Sequence, residues 1–189
     1  MIHLAEISHI PQVVKIHQEA LPNDFLPKLG EGLMIEFYRA FLEKNTLIIA
    51  TSKNDVLGFL ALSTHRISYL RLIKNNILNM LLRLCFQPSL WGQAFWFVFG
   101  DKKNAAYSEI SFIAVRSLHQ HKGVGRKLIN YACDYLSKYE RDRIEVKTEA
   151  NNLHSNHFYL KNHFEKIYCE NRFNRKFNVY LRLISNDVP

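Results

Sequence analysis

Residues 108–127 read Ser108-Glu109-Ile110-Ser111-Phe112-Ile113-Ala114-Val115-Arg116-Ser117-Leu118-His119-Gln120-His121-Lys122-Gly123-Val124-Gly125-Arg126-Lys127, and the fold turns on them. The apolar run Glu109 to Val115 reads as a strand, and a short polar loop follows it. Gly123 and Gly125 then open a helix, marked by Val124, Leu128, Ile129, Ala132, Tyr135 and Leu136 at helical spacing. A strand, a glycine loop and a helix in that order build an anion site. The first amides of a helix have no intrahelical partner. With the positive end of the helix dipole they favour phosphate or pyrophosphate. Glycine removes the side chain that would hold a ligand off the backbone, and Lys122, Arg126 and Lys127 add charge.

Spacing separates three kinds of anion loop. A Walker A loop needs GxxxxGK followed by Ser or Thr, which no stretch of this chain supplies. A dinucleotide fingerprint needs a third glycine where Leu128 stands, and Glu145 lies inside the next strand-like run instead of at its end. The third pattern fits. Gln120-His121-Lys122-Gly123-Val124-Gly125 resembles the Gln/Arg-x-x-Gly-x-Gly/Ala signature of the GNAT N-acetyltransferases. Around it, Glu109–Val115 resembles that family's fourth strand, and Ile144–Lys147 follows the loop helix as a further strand. Asn152, seven residues before Tyr159, and Phe164, five beyond it, are similar to the family's next motif, with Ser155 and His163 in place of its alanine and glycine. The resemblance covers about 60 residues, Ser108 to Ile167.

That resemblance implies an α/β fold with a central mixed, mostly antiparallel twisted sheet flanked by helices. It also implies transfer of acetyl from acetyl-CoA to a primary amine by direct attack in a ternary complex. On the cofactor side it implies Gln120, His121, Lys122, Gly123, Val124, Gly125, Arg126 and Lys127 at the pyrophosphate, backbone groups of Ile113 and Val115 on pantetheine, Asn152 touching it, and Tyr159 near the sulfur.

The chemistry asks for few further groups. An alkyl ammonium has a pKa near 10 and must lose a proton before its nitrogen attacks. Glu109, at a position that often holds the base in the resembling family, is taken first, and Glu145 on the adjacent strand second; either is equally readable as an ordinary strand-edge carboxylate. Tyr159, neutral at pH 7, has a hydroxyl proton to donate to the departing thiolate. A backbone N–H near Ile113 meets the oxyanion. No covalent enzyme intermediate is required, so the cysteines are not expected as nucleophiles. His154 and His157 lie one helical turn apart, but no Cys or carboxylate set completes a metal site, and none is expected.

Composition bounds the rest. At 189 residues and 48% hydrophobic, one domain over 1–189 is expected. No signal peptide pattern starts the chain. Cys85, Cys133 and Cys169 are odd in number without CxxC spacing, which reads as reduced thiols in a cytoplasmic protein. The net charge of +8 suits anions, yet the basic residues are scattered and no nucleic-acid motif is present, so no nucleic-acid partner is expected.

Along the chain, residues 2–7 read as a first strand and Ser8 as a helix cap, with Pro11 in the first turn and Val13, Val14, Ile16, His17 and Ala20 on one face. A second helix runs from about Glu31 to Lys44. Thr46–Thr51 and Val56–Leu62 form a hairpin around Asn54-Asp55, and Pro22–Gly30 is a loop beside the acceptor pocket. Asn171–Lys176 reads as the tip of a terminal hairpin. Residues 66–104 depart most from a minimal acetyltransferase: Ile67–Cys85 is helical in period, and an aromatic run Leu90–Phe99 follows Pro88. They read as a helical insertion between the third and fourth strands, with an added layer, an acceptor wall, a homodimer surface or a peripheral membrane element as alternatives.

The acceptor read first is an amino sugar, free or nucleotide-linked, because the positive chain suits an anionic carrier and the aromatic insertion could stack on a sugar or base. The alternatives are a protein N-terminus or lysine, or a non-catalytic acyl-CoA-binding regulatory module. Free polyamines are disfavoured by like charge.

Overall fold

Leu47, Ile49, Val56, Phe59 and Ala61 are buried in one layer, and Ile48, Ala50, Leu60 and Leu62 in another. Side chains alternate across a strand, so two adjacent strands apolar at nearly every position must form the middle of a sheet covered on both faces. The computed structural model, which describes residues 1–65, 108–172 and 175–184, has that architecture.

The described elements run β1 (Ile2–Leu4), α1 (Ile10–Ala20), α2 (Phe25–Leu29), α3 (Glu31–Leu42), β2 (Thr46–Ser52), β3 (Asp55–Ser63), β4 (Ser108–Val115), α4 (Val124–Ser137), β5 (Arg143–Glu149), α5 (Leu153–Lys161), β6 (Glu165–Arg172) and β7 (Arg175–Leu183). The seven strands lie in the order β1-β2-β3-β4-β5-β7-β6. Every neighbouring pair is antiparallel except β4 with β5. Helices α1 to α3 cover one face through Val13, Val14, Ile16, Met34, Phe37 and Phe41; α4 covers the other through Leu128, Ile129, Ala132 and Leu136.

The expected mostly antiparallel sheet flanked by helices is present, with differences at its start. Ser8 does not cap α1. It lies in a 3-10 turn, Ile7–His9, held by reciprocal bonding of Glu6 and His9, and α1 begins at Ile10 with Pro11 in its first turn. Residues 25–29 form a short helix inside the stretch expected to be all loop. The insertion expected at 66–104 and the hairpin tip at 173–174 lie outside the described residues. Among the described residues, no helix is long and apolar enough to cross a membrane.

Candidate active site

A parallel pair of strands is held only as far as both edges keep register, and here register fails early. β4 pairs with β5 through Ser108↔Ile144, Glu109↔Glu145 and Ile110↔Val146. On its other edge β4 follows β3 to Val115, with an irregularity that begins where the β5 pairing ends: Ile110 pairs Leu62 and Phe112 pairs Ala61, leaving Ser111 as an extra residue. This is a β-bulge, which bends a strand and re-aims its side chains. Ile110 packs under α4, whereas Phe112 and Ala114 face α1 to α3. Ser111 Oγ lies 2.6 Å from Ser63 Oγ, which ties the bulge to β3. Past Ile110, the edge of β4 toward β5 carries no ladder pairing among the described residues, so peptide groups of the Ser111–Val115 segment are placed to bond a ligand.

Beyond β4 the chain turns through a 3-10 segment, Ser117–His119, into the glycine loop. Gln120 Nε2 donates to the Val115 carbonyl at 3.0 Å, clamping the loop to the end of the strand. Gly123 occupies the N-cap of α4 with φ 78°, and no side chain caps that terminus. A left-handed residue there favours glycine. His121 also has positive φ, 59°. Lys122, Arg126 and Lys127 are exposed around the helix N-terminus.

Gly125 has a packing reason for being glycine beyond the one the sequence suggested. A Cβ built there would lie 3.0 Å from Cζ of Phe158. The missing side chain lets α5 pack against the start of α4, and the space above Gly125 on that side belongs to an aromatic ring. Asn152 likewise has a local role, since it caps α5 by accepting from the Ser155 amide at 3.0 Å. His163, where the resembling motif has glycine, has φ 63°, so the backbone keeps the glycine-like conformation with a side chain in it.

Tyr159 is buried, its ring against Phe158, Phe164 and Tyr180. Burial, with a smaller contribution from the charge of Asp24, holds its phenol well above the ordinary tyrosine range. A neutral phenol donates a hydrogen bond. Glu109 and Glu145 are register partners on β4 and β5, opposite in facing to Ile110, Ile144 and Val146. They therefore share the sheet face of α1 to α3. Between them stands Lys147, with Nζ 3.4 Å from Glu109 Oε1 and 3.3 Å from Glu145 Oε1. Two carboxylates side by side on paired strands repel, and one shared ammonium offsets that. Of the two, Glu109 is the more open, its side chain 35% exposed against 14% for Glu145.

Sequence reasoning missed three participants. Lys147 was legible only as part of a strand, although its spacing from Glu145 puts both on one face. Asn156 is buried at the base of α5, donating to the Glu149 and Asn152 carbonyls at 2.9 and 2.6 Å and accepting from Asn178 Nδ2 and Tyr180 OH, both at 2.7 Å. No motif marked it. Ser111 carries the bulge without any compositional sign. Cys133 is buried on the covered face of α4, and Cys169 is exposed. Among the described residues, no group of three His, Cys, Asp or Glu side chains is placed to hold a metal ion.

Two parallel neighbouring strands whose pairing stops at Ile110, followed by a glycine loop and a helix N-terminus without a side-chain cap, define the class of fold. The chain belongs to the GNAT acetyltransferase family, whose model matches residues 10–164. No curated protein sequence matches it. Among solved structures it is similar to the ribosomal-protein-alanine N-acetyltransferase of Brucella melitensis, with TM-score 0.66 and 15% identity over 97% of this chain and 99% of that one. It is also similar to the ribosomal-protein-S18-alanine N-acetyltransferase of Escherichia coli, with TM-score 0.63 and 14% identity over 98% and 94%. A protein of Bacillus anthracis described as a streptothricin acetyltransferase, solved with acetyl coenzyme A, matches with TM-score 0.50 and 17% identity over 75% of this chain and 64% of its own. At these identities the likeness is one of fold. The family uses acetyl-CoA, and the residues present fit it: an unpaired strand edge for an amide-bearing arm, and an uncapped helix N-terminus ringed by three basic residues for phosphates.

Proposed function

We propose that this protein is an acetyl-CoA-dependent N-acetyltransferase acting on a primary amine by direct attack. The observation that carries the reading is the register failure at Ser111, which opens the sheet between the glycine loop on one side and Glu109, Glu145 and Lys147 on the other. The gap is polar in a useful sense. Its cofactor end is basic, through Lys122, Arg126 and Lys127; its other end holds the Glu109 and Glu145 carboxylates around Lys147. An anionic cosubstrate is thereby drawn to the basic end.

In this reading the thioester supplies the electrophilic acetyl carbon. Glu109, the more open carboxylate, accepts the ammonium proton, directly or through water, while Lys147 and Glu145 hold it in place. Tyr159, kept neutral by burial, donates toward the leaving sulfur. Backbone N–H groups beyond the bulge stabilise the developing oxyanion. The loop residues Gln120 to Lys127 with Asn152 act in binding, Gln120 and Asn152 by fixing the loop and α5, and Gly123 and Val124 by presenting amides.

The acceptor is a primary amine with two arms to test. The amino-sugar arm came from the insertion at 66–104, outside the described residues. The polypeptide N-terminus arm draws on Glu145, Asn152 and Tyr159 together, and on the activity named for two of the similar structures. The experiment is release of CoA thiol from acetyl-CoA with glucosamine, an alanine-initiated peptide and a lysine-containing peptide. Amine-dependent release is expected. Tight acetyl-CoA binding with no turnover on any arm would move the reading to an acyl-CoA-binding module.

A further inference from the structure

Glu109 and Glu145 already share Lys147. Asp24, on the same helix-covered side of the sheet, shares no cation among the described residues. It stands at the N-cap of α2, yet its side chain makes no capping bond. His17 Nε2 lies 3.8 Å from Asp24 Oδ2, which is beyond hydrogen-bond length.

His17 is the unusual residue. It is fully buried on α1, its Nδ1 is 2.6 Å from the Tyr38 hydroxyl, and its Nε2 has no hydrogen-bond partner. A buried ring nitrogen without a partner is costly and calls for a reason. When Tyr38 donates to Nδ1, the hydrogen of the neutral ring sits on Nε2, the nitrogen 3.8 Å from Asp24 Oδ2. Burial, and secondarily the charge of Asp24, holds the Tyr38 phenol protonated and so keeps it a donor. Asp24 stands beside this ring and takes no hydrogen bond from it.

The place of the ring matters. The His17 ring packs 4.7 Å from the ring of Phe112, the first residue past the Ser111 bulge, where β4 parts from β5. Asp24, its side chain 38% exposed, lies 3.8 Å from Nε2 of the His17 ring, and its charge adds to burial in raising the Tyr159 phenol. Asp24 is thereby a partly exposed carboxylate linked through the His17 ring to Phe112, on the sheet face that Glu109 and Glu145 share.

We propose that Asp24 is the specificity-determining carboxylate of the acceptor site, taking the ammonium of the incoming amine, and that His17, held by Tyr38, is the positioning residue that aims it. The proposal rests on the amine-acetylation reading and narrows it. The preferred class is a primary amine that arrives as its cation with no anionic group beside the reacting nitrogen, so that unphosphorylated glucosamine or a polypeptide α-amine is favoured over an amine carrying an adjacent phosphate.

The test uses the full chain saturated with CoA, titrated calorimetrically with glucosamine and with an alanine-initiated hexapeptide, beside steady-state acetylation of the same two amines. Asp24→Asn should weaken amine binding and raise KM by about tenfold or more, with kcat and acetyl-CoA affinity little changed. Asp24→Glu should recover part of the loss. His17→Gln should raise KM by less, with kcat held, a split that damage to the fold would not produce. Unchanged amine affinity in Asp24→Asn overturns the assignment, as does a parallel fall in acetyl-CoA affinity, and so does failure of the wild type to bind either amine. If the wild type binds an amine without acetylating it and Asp24→Asn loses that binding, the Asp24 assignment stands and the acetyl-transfer reading falls.

Discussion

Gly125→Val separates two explanations for the second glycine of the loop. The Cβ alone would come to 3.0 and 3.2 Å from Cζ and Cε2 of Phe158, inside the optimum of about 3.5–4.0 Å for a carbon pair. Valine adds two methyls to that contact, and overpacking of this kind costs about 1–3 kcal/mol. For a chain of this size each kcal/mol lowers Tm by about 2–4 °C, so Gly125→Val should melt about 2–12 °C below the parent. Phe158 is only half-buried and neighbours Tyr159, so the ring's displacement should also disturb the tyrosine and weaken acetyl-CoA binding. Phe158→Ala in the same chain removes the clash, and the double variant should regain much of the Gly125→Val loss, a coupling that a double-mutant cycle measures. Gly123→Ala provides the contrast: nothing stands within 4 Å of its Cβ, but φ 78° imposes a backbone strain of about 1–2 kcal/mol that Phe158→Ala cannot relieve. Thermal unfolding and calorimetric titration read all four variants. A Gly125→Val protein with the parent's Tm and acetyl-CoA affinity would refute the packing argument and the loop reading together.

Asn156→Leu leaves Tyr180 OH and Asn178 Nδ2 without their shared acceptor and should destabilise the protein by about 2–5 kcal/mol, read by denaturant unfolding. His163→Gly should stabilise it by about 0.5–1 kcal/mol, because an exposed non-glycine residue at φ 63° is strained; a lower Tm would contradict that. Tyr38 and Tyr159 have raised pKa in the folded protein, so the stability they contribute is full below the unfolded value of about 10 and is lost as pH rises from there through the folded values. Tm should therefore fall steeply above about pH 10, and less steeply in Tyr38→Phe. Lys147→Met should lower stability by about 1–2 kcal/mol, through the repulsion left between Glu109 and Glu145, with the deficit shrinking in Lys147→Met/Glu145→Gln.

The helix after Gly123 was readable from its apolar period and the Asn152 to Phe164 segment from its motif spacing; the β2–β3 hairpin was readable too, although its turn falls on Lys53-Asn54 and the expected turn residue Asp55 already pairs with Ser52. The strand Glu109–Val115 was also legible as a strand. Its bulge was not, since Ser111 differs from an ordinary strand residue only in what β3 offers opposite it. Lys147 could be placed on the face of Glu145 by counting two residues, but its position against Glu109 follows from a parallel register between strands far apart in the chain. Gly125 was read as space for a ligand, and the further contact of its Cβ position with Phe158, between two helices, is one that no loop motif records. Ser8 resembled a cap, and the bonding between Glu6 and His9 prevailed by starting a 3-10 turn earlier. His17 fell on an apolar helix face with nothing in the sequence to announce Tyr38 or Asp24 around it.

The proposed reaction is acetyl transfer to an amine at the gap between β4 and β5, with Glu109 taking the proton. Its most direct test is amine-dependent release of CoA thiol at saturating acetyl-CoA, measured for the parent, Glu109→Gln and Glu145→Gln. The parent should release thiol only when amine is present. Glu109→Gln should slow that release by about 100- to 10,000-fold with acetyl-CoA affinity retained, and Glu145→Gln by less. Release by Glu109→Gln at the parent's rate, or a larger loss in Glu145→Gln, would contradict the assignment of the base; thiol release in the parent that does not depend on any amine would contradict the reaction itself.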